Sequence, residues 1–485
     1  MRIASYLLLG LCASAFLLAG CRSTNANLLS YELQMKAGRY DGAASTMVRE
    51  ADRGNADQLL WRLLAGNAYM VAGASESAVS QLDLAEDVFL ANDGASALAR
   101  GMREARGMLT NDLAFPYQGY GQDRIFCCLY KALEYSAMGN FAATRTELNR
   151  AAEHQENWLF ERRKALSDAE EELSRELSEV PEKERVEGLD VKQSTQTVLA
   201  DDDFLATVKS ELSYDPAAVD LSRLATADYA NAYLAHLCGV FRWIQGDGGR
   251  DYLRDAAGLR PDNPVVKRDF QESDKGTRPR DQVWIYVEDG LCPDRVERRI
   301  DLPLVLLPGI GAYAPYAGMA LPLLQENPSA AVYSVVCQEQ KRLPVTLLQD
   351  VDRLIRTEYN VYMKGALPRE IARATTKVAA QVALGIAADS AGDNYSAKMA
   401  AEVAQLAAAA WAISTTAADL RSWITLPKYV WMQRVDRPAD GKLAVLAENN
   451  GVQEVLHLDL PQGNTIVWIR KFTPNTTMVA KVVTY

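Results

Sequence analysis

Residues 65–86 read AGNAYMVAGASESAVSQLDLAE. The stretch divides at Gly73. Before it, apolar residues from Leu59, Leu60, Leu63 and Leu64 onward recur at helical spacing, and after it Ala78, Leu82 and Ala85 do the same. Two helices joined at a glycine are the simplest reading. Outward from this unit the layout returns. AGRYDGAA (37–44) carries Gly38, Tyr40 and Ala43, and ALEYSAMGNFAATRTELNRAAE (132–153) carries Ala132, Tyr135, Gly139, Phe141, Leu148 and Ala151. Gly73 lies 35 residues after Gly38, and Gly139 lies 66 after Gly73. A period of about 34 is that of the tetratricopeptide repeat, so Gly38, Tyr40, Gly66, Tyr69, Gly73, Ala78, Tyr135, Gly139 and Phe141 are expected to be repeat-packing positions. Small residues would let paired helices approach, and aromatics would fill the gap to the next pair. A degenerate fourth unit runs from Tyr233 through Gly239 and Gly246 to AAGLRPDNP (256–264). The expectation is a tetratricopeptide-like α-solenoid over 28–270, a fold whose concave face usually binds a peptide or protein.

Within it, a charged helix at about 153–187 has Leu159, Leu166, Leu173 and Val180 seven apart. It reads as a solvated helix lying on its own domain, with a short coiled coil as the alternative. Asp201-Asp202-Asp203 reads as a helix start, with acids at its positive end.

The chain opens MRIASYLLLGLCASAFLLAGCRST. Arg2 followed by an apolar core too short to span a bilayer has the shape of a secretory signal. Leu18-Ala19-Gly20-Cys21 looks like a bacterial lipobox. Cleavage between Gly20 and Cys21 would leave the cysteine acylated, since two or three acyl chains hold a protein where one does not. Residues 1–20 are then a signal peptide and 21–27 a lipidated linker. In a Gram-negative envelope, Arg22 in place of an aspartate points to the outer membrane, with the body on the periplasmic face.

The 485 residues, 48% hydrophobic and 24% charged, are ordinary for a globular protein of two or three domains. A formal charge of −11 without clustered Lys/Arg argues against nucleic acid as a partner. Beyond Cys12 and Cys21 remain Cys127, Cys128, Cys238, Cys292 and Cys337. Buried free thiols are the main expectation, and a Cys292–Cys337 disulfide is the one pairing considered.

From about Asp281 the pattern changes. QVWIYVEDG (282–290) alternates as a half-buried strand, and LPLVLLP (302–308) and AAVYSVVC (330–337) read as further strands. Residues 369–391 and 395–420 are alanine-rich and read as a helical hairpin, too short in apolar length to cross a membrane. YVWMQRV, KLAVLAE, EVLHLDL, TIVWIR and TMVAKVV then read as a closing antiparallel meander, with Asn450-Gly451 as a hairpin turn. The expectation for 281–485 is an α+β domain, its mainly antiparallel sheet packed on the alanine-rich pair.

IYVEDGLCPDRVERRIDLPL (285–304), LPREIARATTKVAAQ (367–381) and ADLRSWITLPKYVWMQRV (418–435), in that order, resemble blocks of a bacterial envelope lipoprotein family. That family pairs tetratricopeptide-like helices with such a C-terminal domain, and Cys292-Pro293 here stands where it usually has Ala-Pro. Its activity is unassigned. Its genes are often met beside those of small outer-membrane lipoproteins, including an activator of peptidoglycan synthases. The resemblance therefore implies envelope work and brings no catalytic residues.

Chemistry is sparse in the sequence. His154, His236 and His457 lack ligand spacing, and no metal or cofactor is expected. GIGAYAPYAG (309–318) lacks the lysine of a P-loop and the glycine register of a dinucleotide fold, and reads as a loop. The expected function is a lipid-anchored scaffold holding partner proteins of the envelope, with a small-molecule ligand disfavoured. The alternative is a cell-wall or lipid enzyme, or a ligand module, near 309–318, with Glu288 and Asp289 as its nearest acids; a third reading is a surface or secretion component whose alanine-rich hairpin contacts membrane.

Overall fold

The computed structural model describes residues 24–104, 113, 115–178, 191–214, 221, 225–303, 317–337, 342–390 and 395–485. Twelve helices come first among these residues: α1 (24–36), α2 (Tyr40–Ala51), α3 (Gln58–Ala72), α4 (Ser75–Glu104), α5 (Gly121–Ala137), α6 (Phe141–Ser178), α7 (Val191–Leu199), α8 (Asp202–Leu212), α9 (Thr226–Tyr229), α10 (Ala232–Gln245), α11 (Arg250–Leu259) and α12 (Pro264–Asp274). Strands β1 (Gln282–Asp289), β2 (Asp294–Asp301), β3 (Gly318–Gln325), β4 (Val332–Val336), β5 (Arg342–Pro344) and β6 (Thr346–Asp350) follow. Then come α13 (Val351–Ser390), α14 (Tyr395–Ser414), β7 (Tyr429–Asp436), β8 (Lys442–Asn449), β9 (Val452–Asp459), β10 (Thr465–Lys471) and β11 (Val479–Thr484). An N-terminal helical half thus precedes a C-terminal domain of mainly antiparallel sheets.

Glycines divide the early helices. Gly38, Gly73, Gly139 and Gly246 all have positive φ (72°, 83°, 73° and 77°), where only glycine is unstrained, so each stops a helix in the left-handed conformation. For Gly38, Gly73 and Gly139 a Cβ would meet nothing. These three are turn glycines and not the packing residues the sequence suggested. Close approach falls seven residues earlier, at Gly66 and Gly239, where a Cβ would stand 2.6 Å from Leu82 and Leu253. Asp201 caps α8 by accepting from the Phe204 amide, so the acid triplet is a helix start. Asn263 caps α12, with Pro264 in its first turn. The charged helix is the distal part of α6, which starts at Phe141. Its Leu166 is buried against α7, α8 and α13, as a helix lying on its own protein should be. Val180 lies outside the described residues.

The sheets differ from a meander. A five-stranded sheet has the order β11-β10-β1-β7-β6 and a four-stranded sheet β5-β4-β8-β9, while β2 pairs with β3. β8 and β9 join β4, and β10 then returns to run parallel to β1. Asn450 and Gly451, at φ 50° and 79°, make the β8–β9 turn.

Strand β1 is central and buried on both faces, not half-buried. Val283, Ile285 and Val287 face the four-stranded sheet with Tyr333, Val335, Leu443, Val445, Val467 and Ile469. Trp284 and Tyr286 face the helices, with Met432, Ile466 and Trp468. The sheet therefore packs on α1–α3, α5 and α10–α12, and not on the alanine-rich pair. α13 lies instead on α7, α8 and the β2–β3 ribbon through Tyr359, Met363, Ile371 and Val378. α14 packs along α13. The loop 309–317 read from the sequence falls almost wholly outside the described residues, and Gly318 opens β3.

Candidate functional site

The chemistry of this protein collects where the helices meet the five-stranded sheet. Tyr130 of α5 donates its hydroxyl to Glu288 Oε2 at 3.0 Å, and Arg470 Nε stands 3.9 Å from the same oxygen. Arg470, fully buried, also donates to the carbonyls of Glu288, Lys471 and Thr425 and lies over the Phe472 ring. Burial pushes the Glu288 carboxyl above the usual range, and Arg470 and Tyr130 pull against that shift. Asp289 points to the opposite face of β1, as strand alternation requires. It accepts from Ser329, from the Ala330 amide at 2.9 Å and from Tyr333 at 2.7 Å. Neither acid reaches solvent.

His236 of α10 has Nδ1 2.9 Å from the Tyr286 hydroxyl and Nε2 2.9 Å from Asp269 Oδ2. Asp269 accepts further from Trp284 and Arg434. Burial alone would raise its carboxyl, but the bonds to His236 and Arg434 hold it below the usual range. The row has the residue types of an acid–imidazole–hydroxyl relay. All three members are completely buried, so their contacts join α10 and α12 to β1 instead of meeting a substrate.

The start of the described chain is clasped to the C-terminal domain. Thr24 Oγ1 donates to Asp57 Oδ2 at 2.6 Å, and Asp57 Oδ1 accepts from Arg421 Nη1 at 2.9 Å. Arg421 also pairs with Asp419 and donates to the Phe115 carbonyl. Residues 24–27, expected as linker, are already the first turn of α1. Gly20 and Cys21 lie outside the described residues, three to four positions ahead of this clasp.

Of the repeat positions, Tyr40 packs on Phe472 and Phe141 on Tyr485, both in the C-terminal domain. Tyr69 packs on the same core, Tyr135 is half-buried, and Ala78 contacts α3 opposite Gly66. Tyr31, Tyr130 and Tyr233 reach Thr425, Trp423 and Tyr286. The helix face expected to receive a partner is thus covered by this chain's own sheet.

The Cys292–Cys337 bridge does not form. Cys292 donates to the Trp423 carbonyl on the helical side of the sheet, while Cys337 packs on the core between the two sheets. Cys127, Cys128 and Cys238 are buried free thiols. Cys128, Glu86 and Glu147 bring three ligand atoms within 4.8 Å of one another. The Lys131 ammonium occupies that position, 2.6 Å from Glu86 and 3.2 Å from Glu147, so the cluster is satisfied as an ion pair.

Concavities among the described residues include a small cavity and an open groove. The small cavity, of about 20 Å³, lies between the α5 N-terminus, β2 and α13, lined by Tyr120, Asp123, Arg295, Glu358 and Trp423. Arg295 Nη1, Trp423 Nε1 and Gln122 Oε1 find no partner among the described residues, and the volume suits one water molecule. Burial pushes Asp123 up to about 6 against its bonds from Tyr117 and the Tyr120 amide. An open groove of about 560 Å³ runs between α6, α9, α10 and α11, with Gln155, Leu234, Tyr252 and Arg254 along it.

No protein-family model, curated protein or solved structure matches this chain.

The sequence reading missed Arg421, Arg470, Asp269 and His236 as structural residues. A signal was present, because Arg470 interrupts TIVWIRKF and His236 interrupts AYLAHLCGVF. A charged or ionisable residue inside an apolar run demands a buried partner.

Proposed function

We propose that this chain is a lipid-anchored scaffold of the bacterial envelope, held through Cys21 on the periplasmic face of the outer membrane. The observation that carries this reading is the lipobox Leu18-Ala19-Gly20-Cys21, placed three residues ahead of the Thr24–Asp57–Arg421 clasp. An acylated Cys21 would hold the folded body close to the bilayer surface. The glycine-stopped helix pairs support a tetratricopeptide-like descent. Because their inner aromatics already pack on the chain's own sheet, partner proteins would dock on outward surfaces, among them the α6–α10–α11 groove of about 560 Å³. Proteins of wall synthesis or export are the partners this reading anticipates.

The test is membrane fractionation with crosslinking capture of the native chain beside a Cys21→Ala form. Outer-membrane recovery and a reproducible set of envelope proteins, both lost in the variant, are expected. A Cys21→Ala chain that still fractionates with membrane ends the anchoring reading. A native chain that captures nothing ends the scaffold reading.

A further inference from the structure

Helix α14 carries an apolar stripe that the fold leaves uncovered. Tyr395, Met399, Val403, Leu406 and Ile413 are 76%, 42%, 53%, 70% and 45% exposed, and Ala410 is exposed between them. At about 100° per residue these six positions fall within one arc of about 80°. Ala409 and Ala412, buried, mark the side that packs on α13. The only charged residues on α14 are Lys398 and Glu402, both near its N-terminus. An outer helix of a globular protein normally presents a charged face to water, whereas Lys398 and Glu402, both exposed, lie outside this arc and leave the stripe itself uncharged. No helix among the described residues is long and apolar enough to cross a membrane. The stripe suits a helix that lies on a bilayer rather than one that spans it.

We propose that α14 rests its apolar stripe in the interface of the same lipid surface that holds Cys21. This rests on the anchoring read from the lipobox. The chain itself links the two places. Seven residues after α14 ends, Arg421 pairs with Asp57, which holds Thr24, three residues from Cys21. Acylation therefore presents α14 to the bilayer at high local concentration, where a modest apolar face suffices. A second copy of the chain is the weaker occupant. The stripe is about 30 Å long and about 10 Å wide, roughly 300 Å². A stable protein interface needs about 800 Å² from each partner. The lipid would hold the body at the surface, and the stripe would fix its orientation there.

The test uses the full chain from residue 21, with Cys21→Ala and Cys337→Ser, and a polarity-sensitive fluorophore on Leu406→Cys. An N-terminal histidine tag holds it on vesicles of phosphatidylethanolamine, phosphatidylglycerol and a nickel-chelating lipid, so the readout does not depend on acylation. The expected result is a blue shift and brightening on vesicles, repeated at Met399→Cys and reduced by Val403→Glu. The same probe at Asp251→Cys, exposed on α11, stays unchanged. No shift at either stripe position overturns the proposal, provided thermal unfolding shows both variants folded. A shift without vesicles that grows with protein concentration also overturns it and names a second copy as the cover. Flotation of the natively processed chain against Cys21→Ala reports separately on the anchor.

Discussion

Tyr130 of helix α5 donates its hydroxyl to Glu288 of strand β1 at 3.0 Å, across 158 residues of chain. Arg470, from a strand added near the C-terminus, stands on the same carboxylate. Removing the cation leaves a buried charge uncompensated, which typically costs about 3–5 kcal/mol, whereas losing one neutral hydroxyl costs about 1 kcal/mol. Arg470→Met should therefore lower the stability measured by urea unfolding far more than Tyr130→Phe. Equal losses would show that Glu288 is not charged in the folded protein.

The two halves should not fold apart. Trp284, Tyr286, Ile466 and Trp468 share one buried cluster with Tyr31, Leu64, Phe126 and Tyr233. A fragment of residues 28–270 would expose that face to water. It should lack a cooperative unfolding transition and bind apolar dyes, while the full chain shows one transition by both tryptophan fluorescence and circular dichroism. Cooperative unfolding of the fragment would restore the independent-domain reading.

Two glycines should separate strain from crowding. At Gly73 the space is open but φ is +83°, so Gly73→Ala costs about 1 kcal/mol of backbone strain. At Gly66 a Cβ would overlap Leu82, and overpacking of this kind costs about 1–3 kcal/mol. Combined with Leu82→Ala, Gly66→Ala should be less than additive and Gly73→Ala additive, as read from denaturation midpoints.

Asp123 should make stability fall as pH rises. Its carboxyl is pushed from 3.8 to about 6 by burial, so in that window the folded chain keeps a proton that the unfolded chain has lost. Folding then weakens with increasing pH by about 1.4 kcal/mol per unit, and the loss is complete above about 6. Asp123→Asn keeps an oxygen for Tyr117 and the Tyr120 amide and should flatten this decline. Urea midpoints at several pH values between 4 and 7.5 check it, and an unchanged slope in the variant would remove Asp123 as the cause.

The thiols should report burial. Burial raises Cys127, Cys128, Cys238 and Cys292, and raises the half-buried Cys337 as well. A chromogenic disulfide reagent should reach only Cys337 in the folded chain from residue 21 carrying Cys21→Ala, slowly, and all five of these thiols in denaturant. Mass spectrometry finding a Cys292–Cys337 bridge would contradict the two-core arrangement.

Local features were legible in the sequence because they depend on neighbours in the chain. The glycine stops, the Asp201 cap, the Asn450-Gly451 turn and strands β7–β11 follow from backbone preference and short periodicity. The proposed lipobox rests likewise on consecutive residues alone, and it lies outside the described residues. What only tertiary structure decided is who covers whom. The alternation of QVWIYVEDG cannot distinguish a strand with one wet face from one between two apolar layers, since Trp284 and Tyr286 suit either place. Strand order was equally hidden, because β10 pairs with β1 across more than 170 residues through backbone bonds that carry no side-chain signature. Nor could helix periodicity tell that the apolar faces of α1–α3, α5 and α10 meet the chain's own sheet and not a partner. Burial of apolar surface is non-directional, so a sequence states how much must be covered, and only the fold selects what covers it.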